Sequence, residues 1–369
     1  MVIGKDGMAG HLYELELGMI HDPYINKSYV EQWGDGDQSG WGAEISGNYW
    51  AGYIQYAFTL GDEEMIKIAT DWVDTMIKKQ RPDGYLGTYY EEDAKIFEDF
   101  NAWGTSCAMR GLIAFYEATG RKDVLDAVYR CMLWFCDTWT GDDKTSYGGP
   151  LIIEILVFCY YYTQDKKLIE FAEEYEQYLI SHDIFSISTK TFLEGDFHYY
   201  SNHTAGLGVQ VRRPALLYTV TGDKEQLKAS ERIIEQVSAH SVQLSGAPIC
   251  SAEYLAPVTS NGEAEYCSFA YYNASYSYMS YITGEAKYGD YMEEMFYNAA
   301  QGARKKDEKA IAYLSAPKQI FATCYSSTEA GVTDMQVYAP CYPTSCCPVN
   351  AVVVIPEFIR GMMITTIFI

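Results

Sequence analysis

Residues 116–128 read YEATGRKDVLDAV, and related stretches recur four more times along the chain, from Tyr56, Tyr160, Tyr218 and Tyr281. Each copy joins the end of an apolar helix to a tight turn and then to a helix that opens with acidic or polar residues. Glycine after the last apolar residue is typical of a helix C-cap, and acidic residues favour the start of the next helix. The pattern therefore predicts helical hairpins with turns at Gly61, Gly120, Gln164, Gly222 and Gly284.

The spacing of these hairpins predicts how they assemble. Hairpins repeated about every 45–60 residues are typical of a solenoid or a closed toroid. The helix before each turn is the more apolar, as in PLIIEILVFCYYYT, and the helix after it is amphipathic. CCPVNAVVVIPEFIRGM supplies a sixth inner helix, and residues 12–33 supply an outer partner at the start. We therefore expect an all-α fold, an (α/α)6 barrel formed as one domain by residues 1–369, with a short apolar tail at 361–369.

Composition excludes several classes of function. The chain carries 27 Lys and Arg against 50 Asp and Glu, a formal charge of -23. This acidity disfavours binding to nucleic acid or to an anionic membrane surface. The ten cysteines follow no regular disulfide framework, and we find no signal peptide and no apolar run of about 18 residues. A reducing, cytoplasmic location is expected.

Residues with functional chemistry concentrate where inner helices begin. Because these starts share one end of a barrel, we expect a single mouth to collect them. Helix N-termini also favour thiolates and carboxylates. In chain order the residues are Trp41, Glu44, Trp103, His198, His203, Glu265, Cys267, Cys346 and Cys347.

The fifth and sixth inner helices would be neighbours, which places one carboxylate beside three thiols. The four residues are Glu265, Cys267, Cys346 and Cys347. A set of three soft sulfurs and one oxygen suits tetrahedral Zn2+. The alternative is that the cysteines are core thiols and that Glu265 is solvated.

The stretches WGAEISGNYW, RPDGYLGTY, EAEYC and CCPVN, in this order and with the Y-x-x-TGD turns, resemble glycoside hydrolase family 127, the β-L-arabinofuranosidases. The similarity runs from about Trp41 to Arg360, and E-x-C followed by C-C-P-x-N is its specific part. The resemblance implies an (α/α)6 barrel, a zinc ion on the four residues above, and retaining hydrolysis with Cys346 as nucleophile. It also implies an acid/base glutamate upstream of E-x-C. Glu253 in CSAEYL fits this role, with a pKa expected to be raised, and Glu263 is the alternative.

The implied substrate is a carbohydrate. Trp41 and Trp103 would stack on sugar faces and Glu44 would bind hydroxyls, with core packing as the alternative for each. Where the family carries sugar-binding histidines, this chain has Cys107 and Arg212 or Arg213, so His203 or His198 would substitute. Arginines at the mouth would suit an acidic sugar.

The end of the chain departs from the pattern of the family. Family members continue into β-sandwich domains, whereas this chain ends at GMMITTIFI, which predicts a form trimmed to the catalytic barrel, with a fragment or a damaged gene product as the alternatives. An exposed β-prone tail favours a partner strand, and hence a homo-oligomer.

There are two alternative functions. One is another (α/α)6 sugar enzyme, either an unsaturated-uronide hydrolase or an epimerase. The other is an inactive carbohydrate-binding barrel with structural zinc.

Overall fold

The computed structural model describes residues 40–87, 99–138, 149–182, 186–195, 199–200, 202–251, 253–259, 262–304, 306, 311–316 and 346–362. The chain divides into two compact units, with Ala9–Ile184 in the first and Phe185–Ile369 in the second. The proposed outer partner at residues 12–33 lies outside the described residues. A single domain over residues 1–369 stays a prediction.

The described part of the first unit consists of three helical hairpins. They are α1 (Gly40–Leu60) with α2 (Glu63–Lys79), α3 (Asp99–Thr119) with α4 (Lys122–Thr138), and α5 (Ile152–Thr163) with α6 (Lys166–Ser181). The inner helices α1 and α3 pack so closely that a Cβ added at Gly47 would lie 2.7 Å from the Cβ of Cys107. Stacked indoles of Trp50 and Trp72, with centroids 5.0 Å apart, join α1 to α2.

The second unit adds seven helices in its described residues. They are α7 (Thr189–Glu194), α8 (Thr204–Gln210), α9 (Arg213–Thr221), α10 (Lys224–His240), α11 (Tyr266–Thr283), α12 (Ala286–Met295) and α13 (Cys346–Met362). A π-helical turn, Phe296–Ala300, follows α12. The central helix α11 packs against α8, α12 and α13. The sixth inner helix is confirmed as α13, with the bounds of the quoted segment, and its last two residues, Gly361 and Met362, overlap the tail predicted at 361–369.

Two short antiparallel strand pairs accompany these helices. β1 (Cys250–Ser251) pairs with β2 (Tyr254–Leu255), and β3 (Ala264–Glu265) pairs with β4 (Leu314–Ser315). None of the described helices combines the length and the low polarity that crossing a bilayer requires.

All five predicted turns are confirmed by the backbone. The φ angle is positive at each of the turn residues, at 65° for Gly61, 68° for Gly120, 57° for Gln164, 75° for Gly222 and 70° for Gly284. This left-handed conformation ends a helix and lets a backbone N–H bond to the preceding turn. The acidic residues that follow the turns in α2, α6 and α10 act as N-caps, since the side chains of Asp62, Asp165 and Asp223 accept backbone N–H bonds.

The fourth inner helix differs from a simple helix because it is divided into α8 and α9. Pro214 lies in the first turn of α9 and has no N–H to donate to the carbonyl of Gln210. The helical hydrogen-bond ladder is therefore interrupted between the two segments. His203 is the N-cap residue of α8, as expected for a residue that precedes this helix.

Candidate metal and acid–base centre

Two helix starts position the four candidate metal ligands. Glu265 ends β3 and is the N-cap residue of α11, yet its side chain makes no capping hydrogen bond. Cys267 is the second residue of α11, and Cys346 and Cys347 are the first two residues of α13. Because α11 and α13 pack together, residues 80 positions apart in sequence meet in one place.

The donor atoms of these four residues all lie within 4.8 Å of one another. The Sγ atoms of Cys267 and Cys347 are 3.1 Å apart, and Cys347 Sγ lies 3.7 Å from Glu265 Oε1. Glu265 and Cys347 are completely buried and Cys267 is 2% exposed, whereas Cys346 keeps 9% exposure. A compact, buried set of one oxygen and three sulfurs fits Zn2+, and Cys346 lies on its more open side.

The thiols of this cluster differ in acidity. Hydrogen bonds from Cys267 and Cys347 hold the pKa of the Cys346 thiol well below its usual value. Burial raises the pKa values of the Cys267 and Cys347 thiols well above theirs. Cys346 is also the first residue of a 17-residue helix, where the helix dipole favours negative charge. The thiolate is therefore expected at Cys346.

Glu253 lies in the turn between β1 and β2, in a backbone conformation that is unusual for its residue type. Its φ angle is 71°, in the left-handed region that glycine or asparagine normally occupies. Its carbonyl accepts a hydrogen bond of 2.8 Å from the N–H of Thr204, and the adjacent Tyr254 bridges to His203. The hairpin therefore lies along the start of α8.

Both carboxylate oxygens of Glu253 have partners. Oε1 accepts a hydrogen bond from the hydroxyl of Tyr313, and Oε2 lies 3.4 Å from His203 Nε2. The same Nε2 lies 3.8 Å from Glu265 Oε2. The ring places Nδ1 3.3 Å from the backbone nitrogen of Gly206 and directs Nε2 toward both carboxylates. His203, Glu253 and Glu265 form a second compact group, and Glu265 belongs to both groups.

Opposing effects set the protonation of this second group. Burial lowers the pKa of His203, but Glu265 and Glu253 outweigh it and raise that pKa to about 9. Burial raises the pKa of Glu265 to about 8 against the opposing charge of His203. Burial also raises the pKa of Glu253, but the hydrogen bonds from His203 and Tyr313 lower it more. The expectation of a raised pKa at Glu253 is therefore wrong, because both of its oxygens accept hydrogen bonds.

Sequence reasoning missed Tyr313. The β3–β4 pair brings it to the site, since the N–H of Tyr266 donates to the carbonyl of Tyr313 at 3.0 Å. It is one of 34 tyrosines and belongs to no motif, so neither composition nor spacing distinguishes it. The alternative acid/base residue, Glu263, is buried and pairs through its backbone with Cys250.

The candidate sugar-binding residues Trp41, Glu44 and Trp103 lie in the first unit, whereas His198, like His203, belongs to the second. Glu44 and Trp103 are buried in α1 and α3. The side chain of Trp41 and the whole of His198 lie outside the described residues. That these residues line the same mouth as the cysteine cluster stays a prediction.

The residues at the positions of the family's histidines are buried. Cys107 is fully buried in α3. Arg212 donates to Ser275 Oγ at 2.9 Å, and Arg213 donates to the carbonyl of Ile187. Both guanidinium groups are buried and bind protein atoms, and a contact of either with an acidic sugar stays a prediction.

The family profile described as β-L-arabinofuranosidase, GH127 catalytic domain, matches residues 21–360. The chain belongs to this family. A search of curated proteins found no match to this GH127 chain.

Solved structures share its fold. A GH127 β-L-arabinofuranosidase from Geobacillus stearothermophilus T6 is 18% identical, with a TM-score of 0.72 over 95% of this chain and 62% of that chain. The GH127 β-arabinofuranosidase BT3674 is 17% identical, with a TM-score of 0.73 over 97% of this chain and 58% of that one. This chain thus spans less than two thirds of both. An unsaturated glucuronyl hydrolase mutant from Streptococcus agalactiae is 14% identical, with a TM-score of 0.56 over 86% of this chain and 79% of that one.

These neighbours confirm the fold class that the hairpin pattern predicted. The GH127 chain has the all-α, (α/α)6-barrel fold, with very little sheet in its described residues. The resemblance to family 127 that rested on E-x-C and C-C-P-x-N is likewise confirmed.

Proposed function

We propose that this GH127 chain is a retaining glycoside hydrolase with Cys346 as nucleophile and Glu253 as general acid/base, supported by Zn2+. The observation that carries the proposal is that Glu265 links the two groups. It lies among the three cysteines and also beside the His203–Glu253 pair. A nucleophile and a proton donor are the two functions that retaining hydrolysis requires.

The donor set supports zinc as the metal. Glu265, Cys267, Cys346 and Cys347 would hold it, since thiolates with one carboxylate suit Zn2+ better than hard cations. When bound, the ion would keep Cys346 deprotonated and accept charge when the sulfur departs. A buried cluster of this kind also needs a cation to balance its thiolate and carboxylate charges.

In the first step the Sγ atom of Cys346 forms a bond to the anomeric carbon while the bond from that carbon to the leaving oxygen breaks. The departing oxygen takes a proton from Glu253, which receives that proton from His203 Nε2, 3.4 Å from Glu253 Oε2. His203, whose pKa of about 9 keeps it protonated at neutral pH, is the source of this proton and takes one back from Glu253 after the second step. Tyr313 fixes the carboxyl from its other oxygen.

In the second step a water molecule attacks the anomeric carbon and the carbon–sulfur bond breaks. Glu253 accepts the proton from water, a role that suits its lowered pKa. Cys346 leaves as a thiolate, which the hydrogen bonds from Cys267 and Cys347 stabilise. Two displacements at one carbon retain its configuration.

The proposed substrate is a glycoside, with β-L-arabinofuranosides as the first compounds to examine because the GH127 neighbours are named for them. In this proposal Trp41 and Trp103 stack on sugar faces, Glu44 binds hydroxyls, and His203 contacts the sugar from the acid/base side.

The test combines metal content with turnover of p-nitrophenyl furanosides and pyranosides. The parent protein is compared with Cys346→Ser, and Cys159→Ser, a fully buried thiol of the first unit, is the control. We expect about one zinc per chain in the parent and the control, and no hydrolysis by Cys346→Ser. Turnover by metal-free protein would overturn the thiolate mechanism and favour another (α/α)6 sugar enzyme. Zinc without turnover of any glycoside would favour the carbohydrate-binding alternative.

A further inference from the structure

Asn350 is a fully buried asparagine one helical turn beyond Cys346 in α13. Its Nδ2 atom lies 3.1 Å from the carbonyl oxygen of Cys346 and 3.3 Å from Cys267 Sγ. A carbonyl oxygen only accepts hydrogen bonds, so the group that faces it is the amide NH2 and not the amide oxygen. That NH2 has two hydrogens, one for the carbonyl and one for the sulfur.

We propose that Asn350 is a positioning residue that selects Cys267 as a permanent metal-binding thiolate and leaves Cys346 as the sulfur for chemistry. The role rests on the proposed metal site. Groups behind metal ligands commonly orient them and tune their basicity. Here that group is the side-chain amide of Asn350 on α13, which donates to the sulfur of Cys267 on α11.

The two hydrogen bonds of Asn350 act together. The bond to the Cys346 carbonyl fixes the amide at the first turn of α13, so its second N–H is aimed before any metal arrives. An N–H donated to sulfur stabilises negative charge there and lowers the nucleophilicity of that sulfur. Among the sulfurs of the cluster, Cys267 is the one that receives a side-chain amide from the described residues. Cys346 receives bonds from the neighbouring thiols instead.

A second link joins the same two helix starts without touching a sulfur. Arg304 Nη1 lies 2.8 Å from the hydroxyl of Tyr266 and 3.1 Å from the carbonyl of Ala351. These residues are next to Cys267 and Asn350 in sequence. Arg304→Met therefore loosens the register of α11 and α13 while leaving the bond to Cys267 intact, which separates a structural effect from one on the sulfur.

The experiment measures zinc affinity by competition with a chromophoric chelator, and the sulfur-to-metal charge-transfer band after Co2+ substitution. Asn350→Leu removes the donor at similar volume, and Asn350→Asp keeps the shape. Asn273→Leu is the matched control, because Asn273 is equally buried and its amide bonds to none of the described residues. We expect both Asn350 variants to bind zinc about 10–100-fold more weakly. Their cobalt band should move to lower energy, because the sulfur lone pairs lose an N–H donor.

The control variants and the Asn350 variants have different expected results. Asn273→Leu and Arg304→Met should keep the parental cobalt band, whatever their stability. A folded Asn350→Leu with zinc affinity within about threefold of the parent and an unchanged band would overturn the proposal. If Asn350→Leu does not fold, Asn350→Asp is judged by the same two readouts. A parent protein that binds neither ion would refute the metal site itself, a failure distinct from parental affinity in the variants.

Discussion

The sulfur atoms of Cys267 and Cys347 lie 3.1 Å apart, although the two residues are 80 positions apart in the sequence. A disulfide bond measures about 2.05 Å, so the pair is unbonded and both sulfurs stay available as ligands. With Glu265 and Cys346 they concentrate four donors in a buried volume. Such a concentration is stable when a cation neutralises it and costly when none does.

Removing the metal should therefore destabilise the protein. A metal held at about 100 times its Kd stabilises the folded state by about 2.7 kcal/mol, and a chelator abolishes this stabilisation. We expect the thermal midpoint of the parent to fall on chelation, and those of Cys267→Ala and Cys347→Ala to be low already and insensitive to chelator. Differential scanning calorimetry with and without chelator measures this. Cys159→Ala, which leaves a cavity far along the sequence, should keep the parental response.

The part of the site that follows from sequence is the part carried by helices. Glu265 and Cys267 flank the start of α11, and Cys346 and Cys347 begin α13. It was therefore sufficient to recognise these two helix starts and to expect the two helices to be neighbours. The same holds for the turns at Gly120 and its equivalents, since a C-cap is decided by a few consecutive residues.

The part that sequence could not predict lies between helices. Glu253, His203 and Tyr313 come from a hairpin turn, a helix cap and a loop beside β4, and no periodic pattern relates them. Their meeting depends on strand pairs of two residues each, which leave almost no trace in hydropathy. For the same reason the pKa of Glu253 was expected to rise, because the two donors that lower it were not visible.

Tyr313→Phe tests whether the hydroxyl tunes Glu253. Losing a hydrogen bond to a charged group costs about 1.5–3 kcal/mol, so we expect kcat/KM to fall about 10–100-fold. Because that bond lowers the pKa of Glu253, its loss should raise the pKa, and the limb of the pH–rate profile set by Glu253 should move to higher pH. Tyr272→Phe removes a buried hydroxyl with no hydrogen bond to the described residues and should leave the profile unchanged. An unmoved limb in Tyr313→Phe would contradict this role.

The strained backbone at Glu253 should be measurable apart from its side chain. Glu253→Ala and Glu253→Gly remove the same carboxylate, but only glycine adopts a φ angle of 71° without strain. A left-handed conformation costs a non-glycine residue about 1–2 kcal/mol. Glu253→Gly should therefore unfold at higher urea than Glu253→Ala, while both lack hydrolytic activity. Equal urea midpoints would show that the turn relaxes when the carboxylate is removed.

Replacing glycine by alanine should have opposite effects on stability at Gly222, which ends α9, and at Gly289, which lies inside α12. Gly222 has a φ angle of 75° and Gly289 lies within α12, and a Cβ at either would meet no atom within 4 Å. Steric contacts therefore contribute to neither change. Gly222→Ala should lower the free energy of unfolding by about 1–2 kcal/mol. Gly289→Ala should raise it by about 1 kcal/mol, because alanine favours a helix interior. Urea denaturation of both variants would contradict the turn assignment if the two shifts had the same sign.

The lowered pKa of Asp83, in the loop after α2, leads us to expect that the protein loses stability at acid pH. Burial raises its pKa, but hydrogen bonds from Arg81, from the N–H of Tyr85 and from the indole of Trp134, at 3.1 Å, lower it more. A folded-state pKa below the unfolded value of 3.8 means that the carboxylate stabilises the fold above about pH 4. That stabilisation is lost as the pH falls through the lower, folded-state pKa.

The difference in unfolding free energy between the parent and Asp83→Asn should therefore be constant near neutral pH and shrink below about pH 4. Urea titrations from pH 7 to pH 3 measure it, with Asp126→Asn, at an exposed position of α4, as the control. Because Asp83 is partly exposed, the difference at neutral pH should be small, on the order of 1 kcal/mol. A gap that widens toward acid pH would mean that Asp83 is held as the neutral acid, contrary to the three donors that surround it.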